Sequence, residues 1–524
     1  MALDSKHPLY IERLPDWQQM EHTHAGERVV KAQGFLYLKP TSGMVQDGVM
    51  VGHTTKGWSN YEAYRQRARC PDLVRETVEA LIGVMWRKPP VIEVPAVLAP
   101  MIEEATPENE SLQQLLRRLN EHQLWMGRCG LFGDVIDRGA RAGQPYIALY
   151  EAQDTINWDA GRRDGIEVQN LNLVVIDESG PERVRGFEWE NVSKWRVLML
   201  MTPRAMADEQ QEEIDPGSDD EDGAMDPVIE LADGEGIYTA GVFRESDADF
   251  DPTLMISPMI RGVQLDEIPF VFVNSKDIAA EPDMPPLLAL SNAVLAIYRG
   301  EADYRQALHM LCQDTLVVIG STDENPQQRI GSGAKIDLPT GADAKFIGID
   351  SSGVPEMRES LQNDYERADA QTGKMLDTTS REKESGEALK IRVAAKTATL
   401  TQIALTGAAA LARLLKILAR WAGGDPNQVI VTPNLEFADE MVEGRTVVEF
   451  TTAKTLGAPL SHETLHEIYQ ERGLTTLTFE EEIAKIEAEE TDGTNELLRS
   501  ASMGSEDEEG PEDDEEGDGG GPPS

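Results

Sequence analysis

Cysteine is scarce in this 524-residue chain: Cys70, Cys129 and Cys312 are widely separated and odd in number. That excludes a disulfide framework and makes a reducing cytoplasm the default environment. Charge-free apolar runs of about 18 residues are absent and the N-terminus carries no apolar signal-peptide core, so neither a membrane span nor a leader is expected. Cations are short as well: 48 Lys and Arg face 94 Asp and Glu, a net charge of −46. Affinity for nucleic acid normally rests on Lys and Arg neutralising phosphates, so this balance argues against an ordinary DNA-binding protein. The signatures of several catalytic sites are missing too. Gly373-Lys374 is followed by Met375, and Ala368 stands where the first glycine of a phosphate loop belongs, so that loop is excluded. GxSxG and CxxC are absent. No catalytic residues and no cofactor are expected.

The acidic excess is concentrated in two low-complexity stretches, 208–226 and 506–518, which combine dense carboxylates with Gly and Pro and few apolar side chains. Such composition cannot bury a core and predicts disorder, the first as an exposed insertion and the second as a tail. The first fails as an EF-hand loop. With Gly223 at the invariant glycine, Asp220 and Asp222 fall correctly, but Ser218 takes the first ligand position and Ile229 the place of the bidentate Glu.

A chain of this length allows two to four folding units. Its patterning is mixed α+β. Helices are expected from Tyr61 to Val84, divided at Pro71, and from Ser111 to Gly127, with strands at Tyr146–Tyr150, Leu171–Ile176, Trp195–Met201 and Ile268–Val273. Pro285-Pro286 open a helix whose apolar positions include Leu290, Val294, Leu295 and Tyr298, a Pro start suiting a first helical turn. Three strands follow at Leu316–Ile319, Lys335–Leu338 and Lys345–Ile349, and then a helix from about Pro355 to Met375.

The strongest signal is the stretch TGKMLDTTSREKESGEALK from Thr372 to Lys390, which leads from a charged loop into a helix over 387–422. Ser385 is the expected N-cap and Glu387 lies in the first turn, where a carboxylate favours the positive end of the helix dipole. Apolar side chains recur at helical spacing through Leu389, Val393, Leu400, Ile403, Leu411, Leu414, Leu415 and Leu418, and Gly423-Gly424-Asp425-Pro426 supplies the stop. At ~1.5 Å per residue such a helix spans roughly 54 Å, more than most single domains need. Its interior Gly407, costing about 1 kcal/mol relative to Ala, marks either a kink or a close contact.

SGEALK entering this long helix, after a charged loop and the preceding helix, resembles the portal (head-to-tail connector) proteins of tailed bacteriophages. HPLYIERLPDWQQM, AGERVVKAQGFLYLKP and YEAYRQRARCPDLVRETVEALIGVMWRKPP resemble the opening of one portal subgroup, as does GQPYIALYEAQDTINW. IPFVFVNSKD followed by PPLLALSNAVLAIYRGEADYRQALHMLCQDTLVVIG is similar to the portal order of wing strand, stem helix and entry into the clip. GAPLSHETLHEIYQERGL with FEEEIAKIEAEE resembles a crown.

The resemblance implies a ring-forming fold with a helical stem, a small αβ clip, an α/β wing and a helical crown. On this chain the implied boundaries are N-terminal helices and wing at 1–284 with the acidic insertion at 205–235, and a stem helix at 285–312. The clip falls at 313–352, the return stem helix at 353–375, the tunnel loop at 376–386, the long wing helix and wing strands at 387–455, the crown at 456–492 and the tail at 493–524. In portals the tunnel loop points into a DNA channel. That role carries over to Asp377, Arg381, Glu382, Lys383, Glu384 and Ser385: the two cations would make transient phosphate contacts, and the carboxylates would bridge neighbouring loops or repel the duplex. A channel also fits the acidic charge, because a wall that repels phosphate keeps sliding DNA centred. The implied partners are further copies of the chain in a homododecameric ring, the terminase large subunit, the major capsid and scaffolding proteins, a head-completion adaptor and double-stranded DNA, with no membrane. The implied location is the portal vertex of the virion, after assembly in the host cytoplasm.

A competing motif is His462-Glu463-Thr464-Leu465-His466, a formal HExxH, which on a helix sets two imidazoles one turn apart to bind zinc beside a general base. Ser461 is the expected N-cap, which leaves His462 in the first turn, and Tyr469 and Arg472 replace the Gly and third His of the longer metzincin form. With 8 His in the chain, accidental matches arise at about 0.01 per chain of this composition. No metal is expected. The alternatives are a zinc metallohydrolase using His462 and His466, and a structural adaptor without a channel.

Overall fold

The computed structural model describes residues 3–136, 141–163, 166–201, 236–245, 250–311, 315–319, 341, 343–347, 353–376, 386–437, 452, 461–471, 475 and 477–486. The chain divides into two units, Met1–Ala438 and Asp439–Ser524.

The first unit opens with helices. Helix α1 (Pro8–Ala25) starts on a proline, with His7 at its N-cap accepting the Leu9 N–H on Nδ1. A fixed φ and an N-cap acceptor both suit a first turn, where the amides lack helical partners. Helices α2 (Glu27–Ala32), α3 (Ser42–Gln46), α4 (Lys56–Arg67) and α5 (Leu73–Met85) follow. Pro71 falls between α4 and α5, as the sequence predicts, since the residue before a proline is driven out of the helical region. Helix α6 (Leu112–Trp125) begins at the expected Ser111, which forms a reciprocal capping box with Gln114.

The strands are β1 (Val91–Glu93), β2 (Arg128–Val135), β3 (Pro145–Glu151), β4 (Thr155–Arg163), β5 (Ile166–Asp177), β6 (Gly180–Arg185), β7 (Glu188–Val192), β8 (Lys194–Met201), β9 (Ile237–Arg244) and β10 (Phe270–Asn274), with later ones given below. Strands β10-β2-β3 form one antiparallel sheet and β4-β5-β8-β9 a second; β6 and β7 make a separate hairpin. Of these, β1, β2, β4, β9 and the hairpin were not expected from the sequence. Strand β2 escapes a propensity reading because it carries two glycines, and packing requires both. A Cβ on Gly130 would stand 2.3 Å from the Phe270 ring, and one on Gly133 2.8 Å from Leu418.

Beyond the sheets come α7 (Leu288–Leu311), the strands β11 (Thr315–Ile319) and β12 (Asp343–Ile347), α8 (Val354–Leu376) and α9 (Gly386–Trp421), closed by β13 (Ile430–Thr432), which pairs with β1. Helix α7 starts at Leu288 and not at Pro285-Pro286. Those prolines form a turn in which the Leu288 N–H reaches the Pro285 carbonyl, and Gly127 packs so closely on Pro285 that a Cβ there would sit 2.9 Å from its Cα. Helix α9 is 36 residues long, and Gly423 at φ +80 ends it, a conformation that glycine adopts without strain. Ser385, the expected cap, lies outside the described residues, as does the strand expected at Lys335–Leu338.

The C-terminal half of α9 is the centre of this unit. Leu411, Leu414, Leu415, Leu418 and Trp421 are fully buried, and α9 packs on α6, β2 and β10. The segment Ala398–Trp421 has the length and composition of a membrane span, but 67% of it is buried inside the fold. Arg128 joins the two sheets: its guanidinium lies 4.3 Å from the Trp158 ring of β4 and 3.9 Å from the Phe272 ring of β10. Burial pulls its pKa down to about 9, against the opposing pull of Cys129, Asp283 and Asp277.

In the second unit, α10 (His462–Glu471) is described together with a helical segment over 479–486. Each has its own N-cap. Ser461 Oγ accepts the Thr464 N–H at 2.9 Å, and Thr478 and Glu481 form the two halves of a capping box.

Candidate functional site

The element that carries the functional expectation is the run from α7 to α9. From Leu290 to Ala302, α7 buries Leu290, Val294, Leu295, Ile297, Tyr298 and Ala302; from Asp303 to its end it has no fully buried residue. The helix therefore starts in the core and leaves it along its own length. Where it leaves, polar side chains hold it to α4: Tyr64 donates to Asp303 at 2.5 Å, and Arg67 donates to Gln306.

Helix α8 packs back on α7 through a single stripe. Leu361 and Ala368 are buried, with Met357, Tyr365 and Thr372 partly covered, a spacing of three and four residues that places them on one face. Gly300 of α7 meets Leu361, where an added Cβ would lie 3.2 Å from Cδ1. Tyr365 donates to Glu301 at 3.3 Å, and Arg305 pairs with the same carboxylate one turn along α7. Burial pushes the Tyr365 hydroxyl up to about 12, so it stays protonated and able to donate. Away from that stripe Glu356, Arg358, Glu359, Glu366, Arg367 and Asp369 all face solvent, four acids against two cations. Between the two helices, β11 and β12 pair antiparallel from Thr315↔Ile347 to Ile319↔Asp343. The two helices and the strands expected at Leu316–Ile319 and Lys345–Ile349 are present in that order.

The six loop residues Asp377, Arg381, Glu382, Lys383, Glu384 and Ser385 fall between the end of α8 at Leu376 and the start of α9 at Gly386, outside the described residues. The acidic stretches 208–226 and 506–518 also lie outside them.

The HExxH motif is on a helix, but its two histidines have different surroundings. His462 is exposed in the first turn of α10, while His466 is buried, bonds the Leu477 carbonyl through Nε2 at 3.0 Å and stands 5.5 Å from the Phe479 ring. Among the described residues no group of three or more His, Cys, Asp or Glu side chains is placed to hold a metal ion. Of the glutamates that follow the motif, Glu481 caps at Thr478 and Glu482 accepts from Thr475 at 3.0 Å.

Sequence reasoning missed the Arg196 network, which ties the two sheets together at their surface. Arg196 of β8 donates from Nε to Glu178 at 2.6 Å and from Nη1 to Asp134 of β2 at 3.3 Å, and Tyr150 donates to Glu178 at 2.6 Å. Burial raises the Glu178 carboxyl, but the hydrogen bond and charge of Arg196 outweigh it and hold the group below the ordinary glutamate range. No local pattern announces such a cluster, since its members come from three strands and the segment between β5 and β6.

Residues 286–422, which run from the turn before α7 to the end of α9, match the family described as "Domain of unknown function (DUF4055)". No curated protein matches the chain. Among solved structures, the chain is similar to one described as "Neck of native GTA particle computed with C12 symmetry", at 11% identity and a TM-score of 0.33 over 76% of this chain and 89% of the other. It is similar also to one described as "Neck of empty GTA particle computed with C6 symmetry", at 12% identity and a TM-score of 0.33 over 77% and 90% of the two chains.

Proposed function

We propose that this chain is the subunit of a phage portal. Copies would form a ring, by resemblance a dodecamer, at one capsid vertex of the virion, after assembly in the host cytoplasm. The terminase large subunit would dock on it during packaging, double-stranded DNA would pass through its channel in both directions, and head-completion proteins would bind it afterwards. The major capsid and scaffolding proteins would surround it.

The observation that supports this reading above all is the layout from α7 to α9. Helix α7 leaves the core after Ala302, a β ladder follows, α8 returns along α7 on one narrow stripe, and a 36-residue helix then runs back into the core. A lone subunit gains little from a helix as exposed as α8, whereas in a ring its polar face has a neighbour or a channel to meet. In sequence the segment 377–385 joins the return helix to the long helix, where the portal reading would have its tunnel loop. Arg381 and Lys383 would touch phosphates in passing, Asp377, Glu382 and Glu384 would bridge neighbouring loops or repel the duplex, and Ser385 would close the loop.

Native mass measurement and electron microscopy of one purified sample test the reading. A ring of about a dozen subunits with a hole wide enough for duplex DNA supports it. A monomer, or a closed oligomer without a through-channel, replaces it with an adaptor role. In the ring, replacing Arg381 and Lys383 together with Ala should leave assembly intact and alter packaging or DNA retention; unchanged packaging would remove the loop from the mechanism.

A further inference from the structure

Helix α1 is clipped to its neighbours by imidazoles. Three of the chain's 8 histidines belong to it, His7 at the N-cap and His22 and His24 in the last turn. Each reaches a different element. The His7 ring stacks on Trp158 of β4 at 4.1 Å, His22 Nδ1 lies 2.8 Å from the Tyr37 hydroxyl in the segment between α2 and α3, and His24 stacks on Trp125 of α6 at 4.5 Å. His122 of α6 packs against the same Trp125 indole at 5.5 Å. The middle of α1 is held differently, by the fully buried Trp17 and Met20.

The contacts at the two ends favour neutral rings. His7 Nδ1 accepts the Leu9 N–H at 3.2 Å, which requires an unprotonated nitrogen. A proton there would turn the N-cap acceptor into a donor and set a cation at the positive end of the helix dipole. An imidazolium could gain from the face of an indole, but cations already stand close by. The Arg128 guanidinium is 4.3 Å from the Trp158 ring, and Arg75 of α5 and Arg118 of α6 act on His24 and His122. The carboxylates that oppose them are Asp159 at His7, Glu21 at His22 and Glu79 at His24. Burial is the largest influence at all three histidines of α1. With Arg128 at His7 and Arg75 at His24, it outweighs those carboxylates and pulls each group below the ordinary histidine value.

We propose that α1 is a proton-operated latch, whose ends are clipped to β4 and α6 by neutral imidazoles and are freed when His7, His22 and His24 take up protons. A loosened end binds those protons more readily than a docked one. The docked form is therefore favoured at neutral pH and loses ground as pH falls below about 6.5. Release uncovers Trp158 at one end and Trp125 at the other, both buried while the latch is closed.

Hydrogen exchange of the full chain, read by mass spectrometry at about pH 7.5 and about pH 5 and corrected for the intrinsic pH dependence of exchange, tests the latch. In the natural chain the amides at both ends of α1 should lose protection by about tenfold or more at the lower pH, while those of α9 from Leu411 to Trp421 change by less than about threefold. A variant with His7→Asn, His22→Gln and His24→Phe keeps a cap acceptor, a hydrogen-bonding group beside Tyr37 and a ring on Trp125, but has no titrating group at these positions. Its α1 ends should be protected equally at both pH values, with circular dichroism checking that it folds. If the triple variant does not fold, His7→Asn alone should remove the loss at the first turn and leave it at the last. Unchanged protection of α1 in the natural chain, an equal loss in α9, or a loss that persists in the folded variant would overturn the inference and leave the portal reading untouched.

Discussion

Gly407 lies directly against Asn120: a Cβ added to Gly407 of α9 would stand 2.5 Å from Asn120 Nδ2 of α6. The same Cβ would meet Gln123 Oε1 and Leu119 Cδ2, each at 2.8 Å. Neither polar side chain is free to move aside. Asn120 donates to Gln123 at 3.0 Å and accepts from Trp86 Nε1 at 3.3 Å, and Gln123 donates to the Asn274 carbonyl at 2.7 Å. Gly407→Ala should therefore destabilise the protein by up to about 2 kcal/mol, because overpacking costs of roughly 1–3 kcal/mol are offset only by a gain of about 1 kcal/mol in helix propensity. Chemical denaturation measures it, and a more stable variant would show that the network yields.

Asp154 gives the fold a pH dependence of definite sign. Burial pushes its carboxyl up to about 7, although the bond it accepts from the Glu151 N–H at 2.7 Å pulls the other way. The folded protein thus keeps a proton that the unfolded chain releases near pH ~4, and stability falls as pH rises from about 4 through about 7. Asp154→Asn keeps an acceptor for Glu151 and removes the charge. It should raise stability at pH ~8 by roughly 1–3 kcal/mol and change little at pH ~4. Thermal melts at the two values decide, and an equal shift at both would refute the assignment.

His122 acts in the same interval with the opposite sign. Burial, with Arg118 and His24 nearby, pulls its pKa down to about 4. The unfolded chain binds the proton first, so stability is lost as pH falls from about 6.5 to about 4. His122→Gln should flatten that limb of the stability curve, and a slope equal to the natural protein's would exclude His122 as its source.

Arg128 is held by ring faces, and its Nη1 and Nη2 are buried without a hydrogen-bond partner among the described residues. Planarity and delocalisation suit it to that slot, whereas a lysine ammonium would be a compact, strongly hydrated charge in the same burial. Arg128→Lys should cost about 2–4 kcal/mol, while Arg128→Met, which keeps contact with both rings and removes the buried charge, should stay within about 1 kcal/mol. The order of the two melting temperatures is the readout; lysine outperforming methionine would contradict it.

His466 should behave as a structural residue. His466→Ala should lower the stability of the second unit by about 1 kcal/mol through loss of the Leu477 bond and the Phe479 contact. Chelator should leave the melting temperature unchanged, and Glu463→Gln should be silent. Stoichiometric zinc in the purified protein would reverse this assignment.

The sequence by itself determined the helices that have strong local signals. The 36-residue span of α9 follows from uninterrupted helical spacing between a charged loop and a double-glycine stop, and the caps at Ser111 and Ser461 follow from side-chain chemistry confined to one turn. The existence of α7 and α8 was legible as well, but that they pack on each other is shown only by the tertiary structure. Only the tertiary structure decided the rest, because the physical cause lies on another segment. Gly130 and Gly133 look like strand breakers until Phe270 and Leu418 are seen to occupy the space a side chain would take. Gly407 was ambiguous between kink and contact until α6 was brought against it. The flanking residues of HExxH already spoke against a zinc site, and packing adds the bond of His466 to the Leu477 carbonyl. Spacing along a chain fixes which face a residue shares with its neighbours in sequence; what stands opposite that face is set by packing between segments far apart.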